Sequence, residues 1–149
     1  MQSHNIVLLS GGVDSLKLME WNISKGNSIL PVHIQMKQPN AKQELSTARY
    51  IVKDFMKKYP NKCASLETHY LKPNEIGESP LHYQQIPLLI MGALYSMKRN
   101  TNNIHIGYIK GDDAISVLNE IQLAHHTLKP FCKWHCQIEF PLKDKPKQR

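Results

Sequence analysis

The chain has 149 residues, a net charge of +7 and a sequence pI of about 9.3, with 41% hydrophobic and 21% charged residues. That length fits one domain, and a domain of about 150 residues buries roughly 70% of the surface of its unfolded chain, enough for a core without staples. No apolar run approaches the ~20 residues of a membrane span, and the opening MQSHNIVLLSGG lacks the basic and long apolar regions of a signal peptide, so a cytoplasmic protein with no membrane partner is expected.

In chain order, Asn5 to Ser10 is a short apolar run ending in Gly-Gly, the pattern of a buried strand feeding a tight turn. From Asp14 to about Lys25 the spacing predicts a helix with Leu16, Met19 and Ile23 on one face, stopped by Gly26 and Asn27. Ser28 to Gln35 is a second strand; its Pro31 lacks an N–H, which suggests that pairing starts after it. Asn40 to Tyr59 is an amphipathic helix, with Leu45, Ala48, Val52, Phe55, Met56 and Tyr59 at helical spacing. Ala64 to Leu71 reads as a third strand, and Lys72 to His82 as a polar loop that could act as a lid, bind substrate or be a plain surface excursion. Gln84 to Lys98 is helical and apolar nearly all round, through Met97, as in a helix buried against a sheet. Asn103 to Ile109 is a fourth strand, followed by a helix capped by Asp113 and running to about His125. Cys136, Ile138 and Phe140 alternate with polar residues, as in a fifth strand at a sheet edge. Strands alternating with helices imply βαβ units and a parallel sheet.

The chemistry concentrates at Ser10-Gly11-Gly12-Val13-Asp14-Ser15. A strand ends, two glycines let the backbone turn so that its N–H groups approach an anion, and a helix begins with the positive end of its dipole facing the same point. Ser10 and Ser15 supply hydroxyl donors for phosphate oxygens. Asp14 would repel phosphates, so its presence fits either a Mg²⁺ ligand or a helix cap.

The hexapeptide resembles the SGGxDS signature of the PP-loop ATP pyrophosphatases and is unlike a Walker A loop, because no GK[ST] follows. The resemblance implies cleavage of ATP between its α and β phosphates, with Ser10, Gly11, Gly12, Val13, Asp14 and Ser15 around the pyrophosphate and Ser10, Asp14 and Ser15 as the catalytic set. It further implies adenine against the backbone near His33 and Ile34, and Gly107 close to the nucleotide. The segments VLLSGGVDS, IPLLIMGALYSM, IHIGYIKGDDA and IEFPLKDKPK are similar to those of the QueC family of 7-cyano-7-deazaguanine synthases and its phage and defence relatives. That likeness implies adenylation of a 7-deazaguanine carboxylate and conversion to the nitrile with ammonia. QueC proteins usually end in four zinc-binding cysteines, which this chain does not carry.

Other residues leave alternatives open. Cys63, Cys132 and Cys136 are expected as free thiols or metal ligands; Cys132, His135 and Cys136 form a zinc candidate against a reading as core or loop thiols. Asp112 and Asp113 could bind Mg²⁺ or a substrate hydroxyl, or serve as a helix N-cap pair with no ligand. The basic charge suits anionic partners, although Lys143, Lys145, Lys147 and Arg149 hold part of it in the tail.

The expectation is thus a single PP-loop nucleotide-binding domain over residues 1–149, lacking the QueC zinc segment. Its fold is α/β: a doubly wound, parallel five-stranded sheet of order 3-2-1-4-5 with flanking helices, like the adenine nucleotide alpha hydrolases. ATP, Mg²⁺ and a small-molecule acid are its expected ligands, Zn²⁺ and a homodimer stay open, and two rival readings are a non-catalytic nucleotide-binding subunit and a tRNA-modifying enzyme.

Overall fold

The computed structural model describes residues 4–9, 13–35, 41–70, 97–98, 101, 103–107, 119, 122–123, 125–127, 129 and 137–145. Its elements are β1 (His4–Leu8), α1 (Val13–Ser24), β2 (Ser28–Gln35), α2 (Ala41–Lys58), β3 (Glu67–Tyr70), β4 (Asn103–Ile106) and β5 (Gln137–Glu139). The five strands form one sheet, all pairs parallel, in the order β3-β2-β1-β4-β5. Both the strand order and the edge position of the fifth strand agree with the sequence reading.

Parallel register sets which side chains share a face. Val7 is opposite Pro31 on one side and His105 on the other, and His105 is opposite Glu139. These positions, with Asn5, Ile29 and His33, face α1 and α2. Trp21 of α1 meets His105 edge to face with ring centroids 5.7 Å apart. The alternate positions Ile6, Leu30, Val32, Ile104 and Ile138 point to the other face and are just as buried. A sheet covered on both faces explains why β1 and β2 read as nearly continuous apolar runs. Thr101 and His125 are buried polar residues outside the strands, and Gln122 donates through Nε2 to the Ile138 carbonyl at 2.8 Å, tying a helical position to β5.

On the α1 face the core is built from Val7, Leu9 and Ile29 of the sheet side, Leu18 and Met19 of α1, and Ala48, Ile51, Val52 and Phe55 of α2. The α2 set follows the i, i+3, i+4, i+7 spacing of one helical stripe. Burial of such a side chain stabilises the fold by about 1.5–3 kcal/mol. Three helical expectations need correction. In α1 the inward stripe is Ser15, Leu18, Met19 and Asn22, whereas Leu16 is exposed. In α2 the buried stripe includes Ile51, and Met56 and Tyr59 lie at its exposed margin. Met97, expected inside an all-apolar helix, is also exposed. A rotation of one residue about a helix axis is about 100°, so an apolar residue next to the stripe easily falls outside it.

Pro31 also corrects the sequence reading. Pairing of β2 with β1 runs through it, from His4↔Ser28 to Leu8↔Val32, whereas pairing with β3 begins only at Val32↔Glu67. In a parallel strand, backbone groups alternate in the side they face. Ile29 bonds toward the β3 side, donating to the Lys62 carbonyl and accepting from the Ala64 N–H. Pro31 has the same parity, so its missing donor falls where β3 has not yet begun. The ladder to β1 loses nothing.

The first helix ends as its composition requires. Gly26 has φ 77°, a left-handed conformation in which a side chain is strained. Asn27 N–H donates to the Asn22 carbonyl and Gly26 N–H to the Ile23 carbonyl, the nested pair of a glycine C-cap. Among the described residues no helix is long and apolar enough to cross a membrane.

Candidate nucleotide site

The sheet order reverses direction at β1: chain progress from β1 to β2 and β3 goes one way, and β4 and β5 lie on the other side. At such a switch point the carboxyl ends of adjacent strands diverge from their connections and leave a crevice. Leu9 follows β1 at this crevice. Its N–H donates to the Val32 carbonyl at 2.9 Å, and its carbonyl accepts from His33 Nδ1 at 2.7 Å. Both main-chain groups of the residue before Ser10 are therefore held by β2. Ser10, Gly11 and Gly12 lie outside the described residues, and the chain is described again from Val13, the first residue of α1.

The start of α1 rests on β4. A Cβ placed on Gly107 would lie 3.2 Å from the Asp14 carbonyl oxygen and 3.4 Å from Leu18 Cδ2. A methyl group here would require the helix's first turn to give by a few tenths of an ångström. Asp14 is the acidic residue of that first turn and is half-buried. Ser15 is 3% exposed, on the inward stripe of α1. His33 and Ile34 are buried at the carboxyl end of β2, at 1% and 5% exposure. The structure thus brings Leu9, Asp14, His33 and Gly107 to the same edge of the sheet, from β1, α1, β2 and β4. Asp112, Asp113, Cys132, His135 and Cys136 lie outside the described residues, as does the Lys72–His82 loop. Among the described residues no group of three His, Cys, Asp or Glu side chains could hold a metal. Cys63 is a free, buried thiol whose burial pushes its pKa up to about 11.

A cleft of about 510 Å³ opens at the opposite, amino edge, lined by Trp21, Asn27, Lys62, Asn103, His105 and Glu139 among others. Its volume would accommodate a small ligand, but its electrostatics are wrong for a polyphosphate. It sits at the C-terminal end of α1, the negative end of the helix dipole, and Glu139 adds a carboxylate. Lys62 Nζ is already engaged, donating to the Gly26 carbonyl at 3.2 Å. His105 adds no positive charge: burial lowers its pKa to about 4. Glu139 Oε2 is 3.7 Å from His105 Nε2 and by itself would favour the protonated ring. Glu139 is 45% exposed and the imidazole 2%, so water screens the attraction while desolvation acts in full.

The cleft floor is a chain of amides. Asn103 donates to Asn5, and Asn5 and Asn27 both donate to Asn22 Oδ1, at 3.2–3.3 Å. Asn22, fully buried, donates in turn to the Leu18 carbonyl at 3.0 Å. The sequence reading missed this network and missed the His33–Leu9 contact. An Asn seven residues after Ser15, on the stripe shared with Leu18 and Met19, is the signal that would have pointed to the first. No pattern in the sequence marks the second, because it joins residues 24 apart through side-chain direction.

No curated protein sequence matches the chain. Among solved structures it is similar to the NMN synthetase from Francisella tularensis, with 12% identity and a TM-score of 0.57, over 98% of this chain and 58% of that one. At that identity the likeness shows the fold, and the chain spans little more than half the length of this neighbour. The family described as "Queuosine biosynthesis protein QueC" matches residues 4–87, more than half of the chain, from β1 through α1, β2, α2 and β3. With its five parallel strands in the order expected of a PP-loop protein, this chain belongs to the QueC family.

Proposed function

We propose that this protein is an ATP-using enzyme that adenylates a small-molecule carboxylate at the carboxyl edge of its sheet and releases pyrophosphate. The observation that carries the reading is the seating of the α1 N-terminus on Gly107 beside Leu9, at the sheet's switch point. The positive end of the α1 dipole lies there, and Ser10–Gly12 connect β1 to that helix start in the sequence, which suits a polyphosphate. QueC family membership supports ATP as that polyphosphate and a 7-deazaguanine carboxylate as the acid.

In this reading a carboxylate oxygen attacks the α-phosphorus, the bond from that phosphorus to the bridging oxygen breaks, and pyrophosphate leaves with its electron pair. The α1 N-terminus and the loop N–H groups stabilise the charge growing on the leaving group. Ammonia then attacks the acyl carbon and AMP departs, which yields an amide. A nitrile requires loss of the second oxygen, so that product takes a second activation. Mg²⁺ would neutralise charge on the phosphates. Asp14 fits as its holder: it is an acidic group in the first turn, half-buried, at an edge otherwise suited to anions.

Pyrophosphate release from Mg-ATP, measured with a panel of heteroaromatic carboxylic acids and ammonia, tests the reading. Asp14→Asn is expected to lower turnover by about 100-fold, as loss of one group aimed at developing charge does, while ATP affinity changes only a few-fold. Binding of ATP without pyrophosphate release for any acid would support a non-catalytic nucleotide-binding subunit instead.

A further inference from the structure

Helix α2 has two contrasting faces. Ala48, Ile51, Val52 and Phe55 are buried on one side. On the opposite side Lys42, Ser46, Arg49, Lys53 and Lys57 follow one another at steps of three or four residues, and all are exposed. At about 1.5 Å of rise per residue, the row is roughly 22 Å long, and Arg49, Lys53 and Lys57 stand about 6 Å apart along the axis. Tyr50 borders the row one turn from Ser46 and Lys53. It is 75% exposed, more than any other large hydrophobic side chain among the described residues. The carboxylates of the helix lie off the row: Glu44 is half-buried toward the packed side, and Asp54 pairs with Lys58 at 3.0 Å on the flank. Among the described residues no ion pair engages Lys42, Arg49, Lys53 or Lys57. Like charges one turn apart repel, and a helix that needs only solubility alternates them with carboxylates, as Asp54 and Lys58 do.

We propose that the exposed face of α2 binds a single strand of nucleic acid. Lys42, Arg49, Lys53 and Lys57 lie along its phosphates, and Tyr50 stacks on a base. Charge complementarity selects a polyanion, and the exposed ring selects one with open aromatic faces. A duplex offers the phosphates but keeps its bases stacked, so the unpaired strand fits better. A lipid surface offers charge but no aromatic partner, and the apolar side of α2 is already buried, which leaves nothing to insert into a bilayer. This surface needs no ATP, so the inference stands apart from the reading of the carboxyl edge.

Fluorescence anisotropy of a labelled oligouridylate of about 12 nucleotides, titrated with the full chain without ATP at several salt concentrations, tests this. Each phosphate neutralised on a single strand lowers log affinity by about 0.7 per tenfold rise in salt, so four contacts predict a slope of about −3. Arg49→Gln/Lys53→Gln is expected to bind about tenfold more weakly at low salt, with a slope shallower by about 1.4. Lys143→Gln/Lys145→Gln removes the same charge from exposed positions elsewhere and is expected to change neither. Tyr50→Ala is expected to weaken binding about tenfold at an unchanged slope, and Tyr50→Phe to bind like the wild type. All of these side chains are exposed, so the variants are expected to unfold at the wild-type temperature.

Absence of binding at low salt overturns the proposal. An equal loss in the two double variants overturns it as well, because net charge and not the row would then be the cause. Tyr50→Ala binding as tightly as the wild type would remove base stacking and with it the choice of a single strand. Equal or tighter binding to vesicles of phosphatidylcholine and phosphatidylserine, lost in Arg49→Gln/Lys53→Gln, would assign the face to an anionic membrane instead. None of these outcomes bears on the ATP site, because the titrations contain no ATP.

Discussion

Gly107→Ala is the most direct perturbation of the site that leaves every candidate polar group in place. The added methyl would lie 3.2 Å from the Asp14 carbonyl oxygen and 3.4 and 3.5 Å from Leu18 Cδ2 and Cβ. Contact with the Leu18 side chain is ordinary and yields easily. The contact with Asp14 is to backbone in the first turn of α1, so relief requires the helix start to lift from β4 by a few tenths of an ångström. Gly107 does not adopt a left-handed φ, so the substitution probes crowding and not backbone strain. Overpacking of this kind destabilises by about 1–3 kcal/mol. Loss of unfolded-state freedom on going from Gly to Ala returns about 0.4–1 kcal/mol. The net is a destabilisation of about 1 kcal/mol, or about 2–4 °C in unfolding temperature for a chain near this length.

The functional consequence follows from the direction of the shift. Lifting α1 moves the positive end of its dipole away from the crevice, so in the proposed reading ATP affinity is expected to fall about threefold to tenfold, with kcat lowered as well. Thermal unfolding with and without Mg-ATP, together with calorimetric titration, measures both effects. Gly107→Val, which directs two further carbons at the helix, is expected to exceed the Ala effect on both. An Ala variant as stable as the wild type and equal in ATP affinity would show that the α1 N-terminus does not need its seat on β4, and the nucleotide site would have to be placed elsewhere.

Two buried titratable groups give stability predictions of opposite sign. His105 has a folded pKa lowered from 6.5 to about 4 by desolvation. The unfolded chain therefore binds the proton more readily, and the stability contributed by neutral His105 is present above pH 6.5 and lost as pH falls toward 4. His105→Gln, compared with wild type by chemical denaturation, is expected to be less stable at pH 7.5, with the gap shrinking across that window; a gap independent of pH would refute the assignment. Cys63 has a folded pKa raised from 9.0 to about 11, again by burial. Its contribution is present below pH 9 and is lost as pH rises toward 11, so Cys63→Ala is expected to gain on the wild type over that interval alone. Cys63 should also react slowly with iodoacetamide at pH 7.5 until the protein unfolds; labelling of the native protein at the rate of a free thiol would contradict its burial.

Much of the architecture was legible because its causes are local. β1 and β2 are apolar runs, α2 is a long amphipathic stripe, and Gly26–Asn27 form a glycine C-cap, so their types and near-boundaries follow from side-chain chemistry within a few residues. The order β3-β2-β1-β4-β5 came from resemblance to PP-loop proteins and not from any local pattern. Where the reading missed, the deciding contact was distant. Pro31 is harmless because of which side of β2 its absent N–H faces, and that depends on Lys62 and Ala64. Leu16 is exposed and Leu18 buried because α1 presents Ser15, Leu18, Met19 and Asn22 to the sheet. At the proposed site, the motif points to Asp14 and Ser15, and the resemblance points to His33, Ile34 and Gly107. The roles that structure adds, Gly107 as a seat and His33 as a clamp on Leu9, depend on distances between strands that no spacing in the sequence encodes.

The two ends of α1 explain why one edge of the sheet suits a polyphosphate and the other does not. A helix has free N–H groups at its start and free carbonyls at its end, and each set must find partners. At the amino edge the carbonyl end is closed within the chain: the Gly26 and Asn27 N–H groups take the Ile23 and Asn22 carbonyls, and Lys62 takes that of Gly26. The amides of Asn5, Asn22, Asn27 and Asn103 hold the same end onto β1 and β4. Fixing that end fixes the axis, and with Gly107 bare at the other end the helix start is aimed at the gap between β1 and β4. The positive end of the α1 dipole faces that gap, where the proposed nucleotide would lie. The amino-edge cleft, though large, faces the wrong end of the same dipole. Substituting Asn22 would therefore act on ATP binding from the far side of the sheet, by freeing the helix axis, without touching any group at the carboxyl edge.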